Sequence, residues 1–252
     1  MTLRLFTADL GPGVRAGFTG TGGSPAFNLS VAVGDDQSAV LARRARLETW
    51  VGAPVAFARQ VHGSGVHVCG APELAELVTR RDGSAAAEPV AEADALVTQG
   101  PDLAVAVLVA DCVPILIADV EAGVVAAVHC GRRGLVAGVV PATVRAMADL
   151  GATRLWAAVG PAICGACYEV PDELQQEVAD AVPGTACRTS VGSPGLDLPR
   201  GVRGQLVEAG VDRTTMLDAC TLEDQRWFSH RGLASGRPVG RSAAVVRVLP
   251  RG

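Results

Sequence analysis

Between Leu103 and Ala118 the chain reads LAVAVLVADCVPILIA, apolar throughout except for Asp111. A membrane helix needs about 20 uninterrupted apolar residues, and Asp111 and Pro114 break this run into two pieces of strand length. Alternate positions in both pieces are β-branched, which suits a pleated, buried surface. The run therefore predicts two buried strands, Leu103–Val109 and Pro114–Ala118, with a polar break between them. Similar runs bounded by Gly and Pro predict strands at Leu3–Ala8, Val14–Thr19, Val55–Val61, Ala95–Thr98, Val124–Val128, Leu155–Val159 and Ala243–Leu249.

Helical patterns lie between these strands. Asp35 or Asp36 can cap a helix running to Val51, with Val40, Leu47 and Val51 on one face, and Pro171 can open another over PDELQQEVADAV. Leu135–Leu150 reads as a helix that contains Pro141, and Pro199–Ala209 as a further one. The stretch TRRDGSAAAEP from Thr79 is small and polar and predicts a surface loop, not a domain linker. Without an internal repeat, 252 residues fit one large domain. Strands mixed with helices predict a layered α+β or α/β sandwich. Strand order is not encoded in these patterns.

Composition removes several functions. All 22 basic residues are Arg, so the Lys of a phosphate-binding P-loop and the Lys of a Schiff-base enzyme are both missing. GFTGTGG resembles a phosphate loop only in its glycines. A net charge of −4 gives no electrostatic footprint for nucleic acid. The opening MTLRLFTADLGPG lacks the charged and apolar regions of a secretory signal. The expectation is a cytoplasmic protein without nucleic-acid or membrane partners, acting on small molecules, with its seven Cys as reduced thiols. The oligomeric state is not legible.

Two of the four histidines end strongly apolar strands and meet glycine, His62 in FARQVHG and His129 in VVAAVHCGRRG; Cys112 follows the break after LAVAVLVAD. Two imidazoles and a thiol form a borderline-soft donor set suited to zinc, with a fourth position open for water or substrate. The same three residues are equally compatible with a buried core thiol and two unrelated turn histidines. Cys164 and Cys167 form a CxxC that is either a redox pair or half a metal site, with no second CxxC to complete a structural zinc site. A loop beside the active site is the simpler expectation for it. His67, in VHV, reads as a solvent-facing strand residue.

The blocks RQVHG, ADALVT, ADCVPILIAD, VVAAVHCGRRG, GPAICGACYEV and WFSHRG, in this order, resemble the successive signatures of the YfiH-like, or laccase-like polyphenol oxidase domain, family, also described as peptidoglycan editing factor. The resemblance reaches from Asn28 to Arg241. It implies a single domain across residues 1–252, an α/β/α layered sandwich with mixed sheets, and a metal site at His62, Cys112 and His129. It implies zinc, with copper as an alternative. The implied activity is phosphorolysis of adenosine, inosine, guanosine and methylthioadenosine, with adenosine deamination, so the partners are a purine nucleoside and phosphate, or a cell-wall precursor. The family's older description as a multicopper oxidase does not suit four His with no His-x-His pair. One copper in the zinc position leaves a single-copper phenol oxidase as an alternative.

The chain also departs from the family pattern. HCGRRG stands where His-Ala-Gly-Trp-Arg-Gly is usual, so Cys130 and Arg132 replace a small residue and an aromatic, and Ala42-Arg43 stands in place of Asn-Arg. Arg133 matches the block and is expected in the catalytic set, holding phosphate or carboxylate with its planar fork. Asn28, Gln60 and Asp111 are candidates for orienting the metal-binding imidazoles. His230 matches a family block without an assignable role. Beside the nucleoside enzyme stand two further readings, a cysteine-type amide hydrolase with Cys112 as nucleophile and a histidine as base, and a non-catalytic metal-binding domain.

Overall fold

The computed structural model describes residues 3–23, 26–79 and 88–250. The strands in chain order are β1 (Leu5–Thr7), β2 (Val14–Thr19), β3 (Val55–Phe57), β4 (Val66–Cys69), β5 (Ala95–Gln99), β6 (Ala104–Val109) and β7 (Val113–Asp119). They continue with β8 (Val124–Cys130), β9 (Trp156–Val159), β10 (Ala186–Arg188), β11 (Pro194–Leu196), β12 (Arg213–Met216) and β13 (Ser242–Val248). The helices are α1 (Gln37–Val51), α2 (Ala71–Thr79), α3 (Arg132–Val136), α4 (Val139–Asp149), α5 (Asp172–Ala181) and α6 (Leu198–Glu208). No helix is long and apolar enough to cross a membrane among the described residues.

A five-stranded sheet has the order β1-β2-β13-β6-β3, a six-stranded sheet the order β12-β9-β7-β8-β5-β4, and β10 pairs with β11. Both large sheets are mixed: β3 runs parallel to β6, β4 to β5 and β12 to β9, while the other neighbours are antiparallel. The expected layered sandwich is present, with two sheets between the helical layers. Alternation along the strands explains how. In β7 and β8, Ile115, Ile117, Val124, Ala126 and Val128 pack with Leu135, Val140, Met147 and Leu206 of the helical layer. The intervening Leu116, Val125 and Ala127 face Val105, Val107, Ala244 and Val246 of the other sheet. That sheet turns Ala104, Ala106, Ala243 and Val245 outward onto Leu47 and Val51 of α1.

The two pieces of the Leu103–Ala118 run became β6 and β7, one in each sheet. Predicted Leu135–Leu150 is two helices, because Gly138 takes φ 78° between them. Pro141 then falls in the first turn of α4, where a missing N–H costs no helical bond. Asp36 caps α1 by accepting from the Ala39 N–H, and Asp197 caps α6 through the Arg200 N–H at 3.0 Å. The predicted strand from Val55 stops at Phe57. Beyond it the Gln60 side chain takes over the ladder, donating to Leu108 O at 2.7 Å and accepting from Leu108 N at 2.8 Å. Of the loop predicted from Thr79, residues 80–87 lie outside the described residues.

Candidate active and metal centre

The same alternation that builds the core builds the site. His129 in β8 shares the parity of Val125 and Ala127, and Cys112, one residue before β7, shares that of Leu116. Both therefore project at the end of the space between the sheets. Pairing brings them level: Val113 lies opposite Cys130, and Pro114 opposite His129. Asp94, one residue before β5, has the parity of Leu96 and is bridged to β8 by the His129 N–H, 2.7 Å from Asp94 O. His62 arrives on the turn after β3. The donor atoms of His62, Cys112 and His129 lie within 4.8 Å of one another, and the two imidazoles meet edge to face with centroids 4.7 Å apart.

Asp94, fully buried, organises this meeting. Its carboxylate accepts the His62 N–H at 2.9 Å, the Gly63 N–H at 2.6 Å and the His129 Nδ1–H at 2.8 Å. Burial alone raises its pKa, but the bonds from His129, Gly63 and His62 outweigh this and hold it below the usual carboxylate range. The bond to Nδ1 fixes the His129 tautomer and leaves Nε2 for the cluster. His62 holds φ 61°, a backbone state unfavourable for a side-chain-bearing residue, and the two N–H bonds to Asp94 sustain it. Asp111 holds φ 84° beside Cys112; its carboxylate accepts Thr221 Oγ1 at 2.6 Å and the Arg231 N–H at 2.7 Å.

Charge in the cluster is strongly coupled. Burial pushes the Cys112 thiol up, but hydrogen bonds and attraction from His129 and His62 outweigh it and bring the pKa down to about 6. Burial pushes His129 down, but Asp94 and Cys112 together raise it to about 9. Both shifts favour a thiolate beside an imidazolium, backed by the Asp94 carboxylate. Gly131 presses against the cluster: a Cβ there would lie 2.9 Å from His62 Cδ2 and 3.1 Å from Cys112 Sγ. Its backbone is ordinary, so space, not φ, demands glycine.

The donor set fits a zinc-type ion. Tetrahedral zinc, with Zn–N about 2.0 Å and Zn–S about 2.3 Å, needs donors about 3.3–3.6 Å apart. Small side-chain movements close the three onto one ion. The carboxylate behind His129 is the outer partner that ligating imidazoles ordinarily have.

The cluster opens into a cavity of about 740 Å³. Its walls include Phe57, Tyr168 and His230 and five arginines, Arg44, Arg59, Arg132, Arg231 and Arg241. Arg133 is not in the wall and stands exposed. Successive residues on α3 point about 100° apart, and of the two arginines it is Arg132 that lines the cavity. His230, unassigned from sequence, lines the cavity. His67 faces partly outward and pairs with Glu73 at 3.0 Å.

None of the three proposed orienting residues reaches an imidazole. Asn28 shapes the 28–33 loop in the cavity wall, donating to Ser30 O and Val33 O and accepting the Arg241 N–H. Gln60 ties the turn to β6, and Asp111 secures the turn before Cys112. Asp94 does the orienting, and its position inside ADALVT between two apolar stretches was its only sequence signal. Cys164 and Cys167 lie in a separate group with Cys220 and Glu223.

Comparison with known proteins agrees with this architecture. Residues 13–249 match the family model described as multi-copper polyphenol oxidoreductase laccase. A Streptomyces coelicolor protein named purine nucleoside phosphorylase SCO2081 is 46% identical over 225 residues, covering 87% of each chain. A protein named adenosine deaminase RL5, from an unknown prokaryotic organism, is 36% identical over 224 residues, covering 83% of this chain and 84% of its own. The crystal structure of YlmD from Geobacillus stearothermophilus superposes with a TM-score of 0.82 at 28% identity, over 95% of this chain and 93% of that one. On the extent of these matches, the chain belongs to the laccase-like family of multi-copper polyphenol oxidoreductases, the family that its signature blocks resemble.

Proposed function

We propose that the chain is a zinc-dependent purine nucleoside enzyme, splitting adenosine, inosine, guanosine and methylthioadenosine by phosphorolysis and also deaminating adenosine. The observation that carries this reading is the opening of the His62–Cys112–His129 cluster directly into an arginine-walled cavity of about 740 Å³. That volume lies within the roughly 300–1,000 Å³ of small-molecule sites. The names of the relatives at 46% and 36% identity support the substrate class.

The wall offers both kinds of contact that such a substrate needs. Phosphate suits the planar forks of Arg132, Arg231 and Arg241. A purine suits the guanidinium planes of Arg44 and Arg231, which lie 4.1 Å from the Phe57 ring centroid and 5.3 Å from that of Tyr168. His62, Cys112 and His129 would hold the zinc, which when bound supplies Lewis acidity at neutral pH. Asp94 keeps the His129 ring from turning during the reaction, and the exposed His62 is placed to exchange protons with solvent.

The test is incubation of zinc-loaded protein with adenosine or inosine and phosphate, followed by chromatography. Free base and ribose 1-phosphate, or inosine from adenosine, are the expected products. Absence of all of them with either zinc or copper loaded overturns the reading.

One arrangement favours a second reading. Cys112, His129 and Asp94 stand in the order thiol, imidazole, carboxylate, the sequence of groups that activates a cysteine nucleophile. In that case the Cys112 thiolate would attack the amide carbonyl of a peptidoglycan precursor, the C–N bond would break as His129 protonates the leaving amine, and water would hydrolyse the thioester, with no zinc on the sulfur. Cys112→Ala separates the two: joint loss of zinc and turnover supports the metal ligand. Full zinc retention with abolished turnover, together with cleavage of a muropeptide precursor by the unaltered protein, supports the nucleophile.

A further inference from the structure

Three half-buried thiols and one carboxylate converge in a group separate from His62, Cys112 and His129. Cys164 and Cys167 lie in the loop after β9, and Cys220 and Glu223 in the loop after β12, more than fifty residues later. The two loops extend the parallel pairing of their strands. Ala162 bridges to Cys220, with the Ala162 N–H bonded to Ala219 O at 3.3 Å and the Thr221 N–H to Ala162 O at 3.0 Å. The four donor atoms lie within 4.8 Å of one another.

We propose that Cys164, Cys167, Cys220 and Glu223 form a second metal site, which takes a thiophilic divalent cation such as zinc. Tetrahedral zinc sets sulfurs about 3.8 Å apart, so the cluster is close to the required spacing before any ion draws it in. The local backbone has the shape of a ligand turn: the N–H groups of Cys167 and Tyr168 both reach Cys164 O at 3.0 Å. The Cys164 N–H points to Cys220 Sγ at 3.5 Å, the kind of outer bond that steadies a coordinated thiolate.

Packing holds the loop in this form. A Cβ at Gly165 would lie 2.8 Å from Cys187 Sγ, and one at Gly195 2.8 Å from Gly165 O. All seven cysteines are free thiols. A Cys164–Cys167 disulfide would leave Cys220 with no partner, whereas one cation satisfies all three sulfurs and the carboxylate. An open cleft of about 590 Å³, to which Cys164, Cys220 and Glu223 contribute, gives the ion an entry path.

Four protein donors close the coordination sphere, which marks a structural site and not a catalytic one. Its neighbours show what it would brace. Ile163 and Tyr168, adjacent to two of the cysteines, line the main cavity, and Thr221, adjacent to a third, holds the Asp111 carboxylate next to Cys112. The ion would clamp two loops behind the active cavity, whichever reaction runs there.

The experiment counts metal. Protein reduced and reconstituted with zinc chloride, then freed of excess, is measured by elemental analysis beside Cys112→Ala and Cys220→Ser, and each is reloaded with cobalt(II) for absorption spectra. About two zinc ions per chain are expected for the unaltered protein and about one for each variant. In Cys112→Ala the remaining cobalt should retain thiolate charge-transfer absorption, and Cys164→Ser added to it should abolish both metal and band. The Cys112→Ala spectrum stands by itself should Cys220→Ser fail to fold. Cys112→Ala with neither zinc nor a thiolate–cobalt band overturns the site. So does an intact mass of the zinc-reconstituted protein showing a Cys164–Cys167 disulfide.

Discussion

Asp94 joins the turn at His62 and the His129 imidazole through a single carboxylate, so an isosteric change there separates charge from shape. Asp94→Asn keeps the size but removes the negative charge behind His129 and one acceptor for the turn at His62. Zinc affinity at that centre should fall by about 10–100-fold, measured by competition with a chromogenic chelator; unchanged affinity would remove Asp94 from the assignment. The thiols give a second check. In metal-free protein Cys112, with its pKa near 6, should react with iodoacetamide at neutral pH, and its rate should fall through that midpoint on acidification as the thiolate takes up a proton. Cys69, pushed up to about 12 by burial and the charge of Glu73, should stay unmodified, and zinc should protect Cys112. Peptide mass mapping across pH reads all three. Strand ends broken by glycine or a charged residue marked His62, Cys112 and His129 as candidates, but only the ordered family blocks joined them into one site. Asp94 was not, since a carboxylate that satisfies N–H groups looks in sequence like any turn residue. Cys220 and Glu223 were invisible because only tertiary pairing brings them to the CxxC.

At the level of elements, β7 and β8 carry the centre, and their parity decides whether it exists. Leu116 lies fully buried between the sheets in β7, four residues after Cys112. Leu116→Ala should cost about 2–5 kcal/mol and Leu116→Met less than about 1.5 kcal/mol. Urea denaturation compares them, and equal midpoints would mean that this layer is not tightly packed. On α3 the first turn presents two arginines in different directions. Arg132→Ala should therefore lower kcat/KM for phosphate by about tenfold or more, while Arg133→Ala changes it little; the reverse order would show that Arg133 reaches the substrate. The long strands were readable because alternate β-branched residues report a two-sided burial. The three- and four-residue strands β10, β11 and β12 were not, since ACR, PGL and RTTM have too few residues for a period to show. The pairing order was unreadable for another reason: it rests on contacts between segments far apart in the chain.

Over the whole molecule a net charge of −4 coexists with a cavity walled by five arginines. If phosphate is a substrate, as proposed, the arginine wall would attract it against the net negative charge, and dissolved salt screens such attraction over about 10 Å at 0.1 M and 3 Å at 1 M. kcat/KM for phosphate should fall several-fold over that range and should fall less steeply in Arg132→Ala; a flat salt profile would show that the arginines act only at contact. The position of β13 bears on how such a molecule is made. It leaves the ribosome after every other strand described, yet its place is in the middle of the five-stranded sheet, bonded to β2 on one side and β6 on the other. Arg241, just ahead of it, also closes the cavity wall through Asn28. A chain cut before Arg241 would therefore carry His62, Cys112 and His129 and still have β2 and β6 unjoined and the Arg241 part of the cavity wall missing.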